Sequence, residues 1–127
     1  AVGQAEAAVR SARAFLLQAA YDIWTEATST DGPTVSLDAR TQLRVAATHA
    51  IRLAAGIVES LYTACGATVV FEGPVAAEED PARRAGHLLH RLFHDMHVIT
   101  QHSQGRLAHY ELVGKHCLGL EIDESRL

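Results

Sequence analysis

The sequence is poor in several features that mark particular classes of protein. Its 127 residues include two cysteines, three prolines and one tryptophan, and its 11 basic residues are outnumbered by 15 acidic ones. Two cysteines are too few for a disulfide framework, and no apolar run approaches the ~20 residues that a membrane helix needs. The basic residues form no cluster, so the sequence predicts no nucleic-acid partner and no membrane partner.

What is present predicts a folded helical domain. The hydrophobic fraction of 48% and the length of 127 residues suit a single domain with a core of its own. The first residues, 1–6, are acidic and amphipathic and lack the pattern of a signal peptide, so we expect a cytoplasmic protein with Cys65 and Cys117 as buried free thiols. The helical pattern begins at Ala1 with no capping residue before it. We therefore expect residues 1–127 to be one helical domain and a fragment of a longer chain.

The first half of the chain predicts two helices. In the first, residues at spacings of three and four form one apolar face: Val9, Ala12, Leu16, Ala19 and Ile23. A turn at 29–33 ends this helix. The second helix begins after Ser36 as its N-cap and ends at Gly66 as its C-cap. Its apolar face comprises Leu43, Ala47, Ala50, Ala54, Ile57 and Leu61.

The second half predicts one or two more helices. A short extended piece at 67–71 and an acidic stretch at 78–80 precede the third helix, which ends near His102. The buried stripe predicted for this helix is Leu89, Leu92, Met96 and Ile99. A fourth helix would bury Leu107, Tyr110, Val113 or Gly114, and Cys117, and the charged tail at 121–127 is expected to fray. The fold class is therefore all-α, an up-and-down bundle of three to four antiparallel helices.

Four of the eight histidines fall on one face of the third helix, roughly opposite its apolar stripe: His87, His90, His94 and His97. Spacings of three and four are those of metal ligands on a helix, so this face can be interpreted as a zinc or copper site. It can also be a polar face that is rich in histidine. Because no cysteine lies nearby and no acid is placed to orient the rings, we favour the polar face and predict no metal site.

A second group on the third helix lies beside the apolar stripe. Arg91, Asp95 and His102 follow one another at spacings of four and seven, so Arg91 and Asp95 can form an ion pair. His102 lies at the C-terminal end of the helix, where the helix dipole favours a protonated ring. The group is either a boundary ion pair with an unrelated helix-end histidine or the polar part of a cleft or interface.

Two stretches of the chain resemble a known family. The segment 92–102, which reads Leu-Phe-His-Asp-Met-His-Val-Ile-Thr-Gln-His, and the segment 110–114 resemble the C-terminal helical domain of the acyl-CoA dehydrogenase superfamily. The helices around 6–13 and 44–66 are similar to that domain as well, so the resemblance covers nearly the whole chain.

The resemblance implies a function. True dehydrogenases of this superfamily often have a catalytic glutamate about eight residues after the helix aspartate, where this chain has His102 or Ser103. The oxygenase components of two-component flavin monooxygenases have a histidine at the position of His102, which contacts the substrate or the oxygen-bearing flavin. The resemblance to this branch implies hydroxylation of an aromatic or heterocyclic substrate, with His102 as the catalytic residue and Arg91 and Asp95 as cofactor-binding residues.

The same resemblance implies partners. The flavin, FAD or FMN, is held jointly with upstream domains, the parent protein is a homotetramer, and a flavin reductase supplies the reduced flavin. The isolated chain is expected to be inactive. Two departures from the family are His94, where members have an arginine before the helix aspartate, and a longer connection at 73–87. The alternatives are a true acyl-CoA dehydrogenase domain and a stand-alone helical module that self-associates or binds metal.

Overall fold

The computed structural model describes residues 1–29, 34–67, 69 and 81–127. In this part of the chain there are four α-helices and no strand: α1 (Val2–Ala27), α2 (Leu37–Ala64), α3 (Pro81–Gln101) and α4 (Ala108–Cys117). Two short 3-10 turns, Ser103–Gly105 and Glu124–Arg126, follow α3 and α4. The predicted all-α bundle is confirmed. None of these helices is long and apolar enough to cross a membrane.

The central element is α2, which packs against α1, α3, α4 and the turn after α3. Small side chains dominate the buried positions, and small residues allow helix axes to approach closely. The buried apolar residues are Ala12, Ala19, Ala39, Ala46, Val69, Leu112 and Val113. Two threonines of α2, Thr41 and Thr48, are fully buried.

The predicted N-cap of α2 is confirmed. The Ser36 hydroxyl oxygen accepts a hydrogen bond from the amide of Ala39 at 3.1 Å, as an N-cap does. The same hydroxyl donates to the Glu26 carboxylate at 2.9 Å, which joins the last turn of α1 to the first turn of α2. The C-cap is Cys65 rather than the predicted Gly66, but Gly66 follows it with a φ of +70°, the left-handed conformation that a glycine adopts just after a helix C-cap. The predicted turn at 29–33, extended piece at 67–71 and acidic stretch at 78–80 lie mostly or wholly outside the described residues.

Two of the predicted helix faces are corrected. Val9 of α1 is half exposed, whereas the predicted partners Ala12 and Ala19 are buried. In α3, Leu92 and Ile99 are exposed, and the side facing α2 consists of half-buried Gly86, Leu89, His90, Phe93, Met96 and Thr100. The aromatic ring of Tyr62 on α2 explains this rotation, because it stacks on Phe93 with the ring centres 4.4 Å apart.

The fourth helix and the tail also differ from their predictions. The buried residues of α4 are His109, Leu112 and Val113, whereas Leu107 and Tyr110 are exposed. Both cysteines are free, but they are exposed rather than buried. The charged tail is held against α2, because the Arg40 guanidinium forms a 2.9 Å ion pair with the Glu124 carboxylate.

Candidate functional site

His102 lies immediately after the last residue of α3, on an exposed position. Its amide donates to the carbonyl of Ile99 at 3.0 Å, so its backbone completes the end of the helix. Its ring nitrogen Nδ1 accepts a hydrogen bond from the amide of Gln104 at 3.3 Å and so caps the turn Ser103–Gly105. The ring is thus oriented by the backbone while its other edge faces outward.

An arginine of α2 holds the end of α3 and the turn together. Arg52 donates from Nε to the carbonyl of Gly105 at 2.7 Å and from its terminal nitrogen to the carbonyl of Thr100 at 3.4 Å. The Thr100 carbonyl lies at the negative end of the α3 dipole, where a guanidinium is favourable. Gly105 is buried, and an added Cβ would lie 3.1 Å from Ile51 Cγ2 and 3.2 Å from the Thr100 oxygen. The close approach of Ile51 and of the last turn of α3 therefore favours glycine at this position.

Gln104, the middle residue of the turn, is held from α2 at two further points. The buried Thr48 hydroxyl donates to the Gln104 carbonyl at 2.8 Å, and the Arg44 guanidinium donates to the Gln104 side-chain oxygen. His109 of α4 contacts the same hydroxyl through Nδ1 at 2.9 Å. The Nε atom of Arg44 is buried and has no hydrogen-bond partner among the described residues. Residues of α2 and α4 thus fix the turn that orients His102.

Burial and charge favour the neutral form of the His109 ring. Desolvation is the largest cause that lowers the pKa of His109 below its usual value, and the positive charge of Arg44 lowers it further. The hydrogen bond with the Gln104 backbone acts in the opposite direction. A neutral ring has one N–H donor and one bare nitrogen, so His109 makes a directed contact with Thr48 rather than an ion pair.

Arg91 and Asp95 lie on the side of α3 that does not face α2. Both side chains are exposed, and neither makes a hydrogen bond or ion pair with another residue in the described ranges. The predicted ion pair between them is therefore not formed. Exposed apolar side chains lie beside them, and we call the set the outer face of α3: Leu88, Arg91, Leu92, Asp95 and Ile99. An exposed apolar surface with polar groups of this kind is typical of a binding or contact surface.

Residues 1–77 match the family described as acyl-CoA dehydrogenase, C-terminal domain. The chain belongs to this family. An indole-3-acetate monooxygenase of Pseudomonas putida is 34% identical over 103 residues, which make up 80% of this chain and 22% of that protein. The chain thus spans about a fifth of the length of this relative. The predicted resemblance to the acyl-CoA dehydrogenase superfamily is confirmed.

The four histidines of α3 were predicted to lie together on one exposed face, and in this acyl-CoA dehydrogenase C-terminal domain three of them do. His87, His94 and His97 are exposed, but His90 is half buried, with its Nδ1 3.1 Å from the Tyr62 hydroxyl oxygen. His90 and His94 contact each other edge to face with ring centres 4.8 Å apart. Among the described residues, no group of three or more histidines, cysteines or acids is placed to hold a metal ion.

The residues of α2 and α4 that support His102 in this domain are not among the site residues predicted from the sequence. They are Arg44, Thr48, Arg52 and His109. One signal was available, because His109, Leu112, Val113 and His116 recur at the spacings of one helix face. Nothing in the sequence indicates that Thr48 lies against the turn, since the two are 56 residues apart.

Proposed function

We propose that this chain is the helical C-terminal domain of a flavin-dependent monooxygenase that hydroxylates an aromatic or heterocyclic substrate. Family membership supports the flavoprotein part of the proposal. The relative from Pseudomonas putida is named a monooxygenase of indole-3-acetate, which supports the reaction type. Because residues 1–127 span only 22% of that relative, we propose that further domains complete the enzyme.

The observation that carries the proposal is the fixed, exposed ring of His102. Its Nδ1 is occupied by the Gln104 amide, so the outward edge of the ring is free for a substrate or cofactor. A histidine can exchange a proton near neutral pH and can hydrogen-bond a developing charge on oxygen. We assign His102 as the catalytic residue that contacts the reacting groups.

The flavin would lie on the outer face of α3. The exposed Leu88, Leu92 and Ile99 offer an apolar surface for a flat ring system, and Arg91 and Asp95 have no partner within the described chain. When bound, FAD or FMN supplies the activation of oxygen. Arg91 and Asp95 would bind the cofactor, and His102 would hold a proton or a hydrogen bond at its Nε2.

The remaining partners follow from the same proposal. A flavin reductase would supply the reduced cofactor, and the exposed apolar side chains of α1, among them Leu17, Tyr21 and Trp24, would be covered by other subunits of a homotetramer. Two free cysteines are consistent with the reducing cytoplasm.

The test is the substitution His102→Ala in the full-length protein, supplied with chemically reduced flavin, oxygen and an aromatic substrate. We expect the hydroxylated product per oxygen consumed to fall by about a hundredfold, the order of what removing one hydrogen-bond donor at a reacting oxygen costs. His87→Ala is the matched control, because His87 is an exposed histidine of the same helix. Unchanged coupling of oxygen use to product in the His102 variant would contradict the assignment. Oxidation of acyl-CoA by an artificial electron acceptor, with no hydroxylated product, would favour a true dehydrogenase.

A further inference from the structure

The hydrogen bond between Gln104 and His102 determines which nitrogen of His102 carries the proton. A backbone N–H can only donate, so the Nδ1 atom that it contacts at 3.3 Å must be the bare, accepting nitrogen of the ring. The proton of the neutral ring then lies on Nε2. The exposed edge of His102 is therefore a hydrogen-bond donor.

The hydrogen bonds of Thr48 determine the opposite arrangement in His109. A carbonyl can only accept, so the single hydroxyl hydrogen of Thr48 is used in the 2.8 Å bond to the Gln104 carbonyl. The remaining contact, 2.9 Å from Thr48 Oγ1 to His109 Nδ1, must then be donated by the histidine. In His109 the proton lies on Nδ1 and Nε2 is bare.

We infer that His102 and His109 are held in opposite tautomers by a continuous chain of hydrogen bonds, and that Thr48 is a positioning residue for His102. The chain runs from His109 Nδ1 to the Thr48 hydroxyl, to the Gln104 carbonyl, and from the Gln104 amide to His102 Nδ1. Thr48 is fully buried, so water has little access to its contact with His109, whereas the bond from Gln104 to His102 at the other end of the chain is exposed.

The inference rests on the proposed function for its chemical consequence. An Nε2 that carries a proton cannot accept one, so the neutral His102 does not act as the base toward a substrate hydroxyl. It donates a hydrogen bond instead, and the group opposite it must present an accepting oxygen. If His102 donates to the substrate, the substrate is an aromatic compound with an ionised oxygen, a carbonyl or a carboxylate. If it does not, the accepting oxygen belongs to the cofactor.

The tautomers are measured by long-range 1H–15N correlation NMR of the 15N-labelled chain at about pH 8, well above the ordinary histidine pKa of about 6.5. We expect His102 to be protonated on Nε2 alone and His109 on Nδ1 alone, with a scalar coupling across the hydrogen bond from the Gln104 amide nitrogen to His102 Nδ1. His87, which has no hydrogen bond among the described residues, is the internal control and should show the mixture of tautomers of a free imidazole. A mixture at both His102 and His109, or absence of the coupling, would overturn the inference.

Three variants test the positioning role of Thr48. Thr48→Val removes the hydroxyl, and we expect it to weaken the Gln104–His102 coupling and to shift the resonance of the His109 Nδ1 proton, which loses its hydroxyl partner and keeps only the Gln104 carbonyl. Thr48→Ser keeps the hydroxyl and should restore both signals. Thr41→Val is the matched control, because Thr41 is equally buried but bonds only to Asp38 in its own helix. If Thr48→Val leaves both signals unchanged, Thr48 does not position His102.

In the full-length protein, Thr48→Val should lower the hydroxylated product per oxygen by about tenfold or more with little change in KM, since a small misplacement of a catalytic group can cost up to 10²-fold. Thr48→Ser should recover most of that loss. The NMR result and the enzymatic result are separable. If the tautomers are as expected but the substitution of His102 leaves hydroxylation intact, the proposed function of His102 fails and the structural inference remains.

Discussion

Arg52 and Gly105 are joined by a 2.7 Å hydrogen bond from the guanidinium Nε to the carbonyl oxygen, and this bond connects the central helix to the turn that follows α3. The same side chain reaches the Thr100 carbonyl in the last turn of α3. One residue of α2 thereby binds one carbonyl in the last turn of α3 and one in the turn that follows it, and the backbone between them carries His102.

We expect Arg52→Met to lower the free energy of unfolding by about 1–2 kcal/mol, because it removes two charge-assisted hydrogen bonds to half-buried carbonyls while keeping most of the apolar stem. Urea denaturation of the two proteins measures the difference. Arg10→Met is the control, since Arg10 forms an exposed ion pair with Glu6 within α1. That pair should be worth about 0.5 kcal/mol or less. An equal effect of the two substitutions would contradict the role given to Arg52.

We expect Gly105→Ala to destabilise the protein by about 1–3 kcal/mol, the usual cost of overpacking. The new methyl group would lie 3.1–3.3 Å from the Ile51 side chain and two backbone carbonyls, so these neighbours would have to shift by a few tenths of an ångström, which backbone in the last turn of α3 resists. Gly56→Ala is the opposite case, because Gly56 lies inside α2 with nothing within 4 Å of the added atom. It should stabilise the protein by up to about 1 kcal/mol through helix propensity. Thermal unfolding followed by circular dichroism compares the two, and a Gly105 variant as stable as the parent would show that the turn does not need the close approach.

The bounds of the helices could be predicted from local signals, whereas the packed faces could not. Ser36 and Gly66 carry their capping chemistry in their own side chain or backbone, so the sequence is enough to place them. Which face of α3 is packed depends on the side chains of α2. Tyr62 of α2 stacks on Phe93 and hydrogen-bonds His90, so these two residues face α2 and Leu92 is exposed. The apolar pattern alone therefore predicted the packed side correctly for Leu89 and Met96 and wrongly for Leu92 and Ile99.

The candidate site was predictable in part for the same reason. His102 could be assigned from its resemblance to a family position, and it lies at the end of α3 as expected. The polar residues behind it could not, because Thr48 and His109 are 61 residues apart and only the tertiary fold brings their polar atoms within 2.9 Å. Because histidines are usually exposed or half exposed, the sequence alone does not predict a buried His109. Its burial depends on the hydrogen bond that Thr48 of α2 provides.

We expect the stability of the protein to fall as the pH falls below about 6.5, the ordinary pKa of histidine. The folded state lowers the pKa of His109, first through burial and then through the charge of Arg44, so the unfolded chain binds this proton more tightly. The contribution of His109 to the free energy of unfolding is complete above the pKa that this residue has in the unfolded chain. It is lost as the pH falls toward the lower pKa of the folded protein.

His109→Asn tests this pH dependence, because asparagine keeps an N–H near the position of Nδ1 and does not titrate in this range. The free energy of unfolding of the variant, measured in urea at several pH values from neutral to acidic, should fall less steeply with acid than that of the parent. His87→Asn should leave the slope unchanged, since His87 is exposed. If the parent and the His109 variant lose stability equally with falling pH, the proton is not taken up by His109.

The central claim is that this helical domain serves a flavin monooxygenase, and one measurement tests it most directly. The full-length protein is mixed anaerobically with reduced FAD or FMN and then with oxygen and an indole or phenol carrying an acidic oxygen, and the products are analysed by mass spectrometry with ¹⁸O₂. The account predicts a product that has gained one ¹⁸O atom, formed without any acyl-CoA. A protein that yields no labelled product, but reduces a dye in the presence of acyl-CoA, would contradict it.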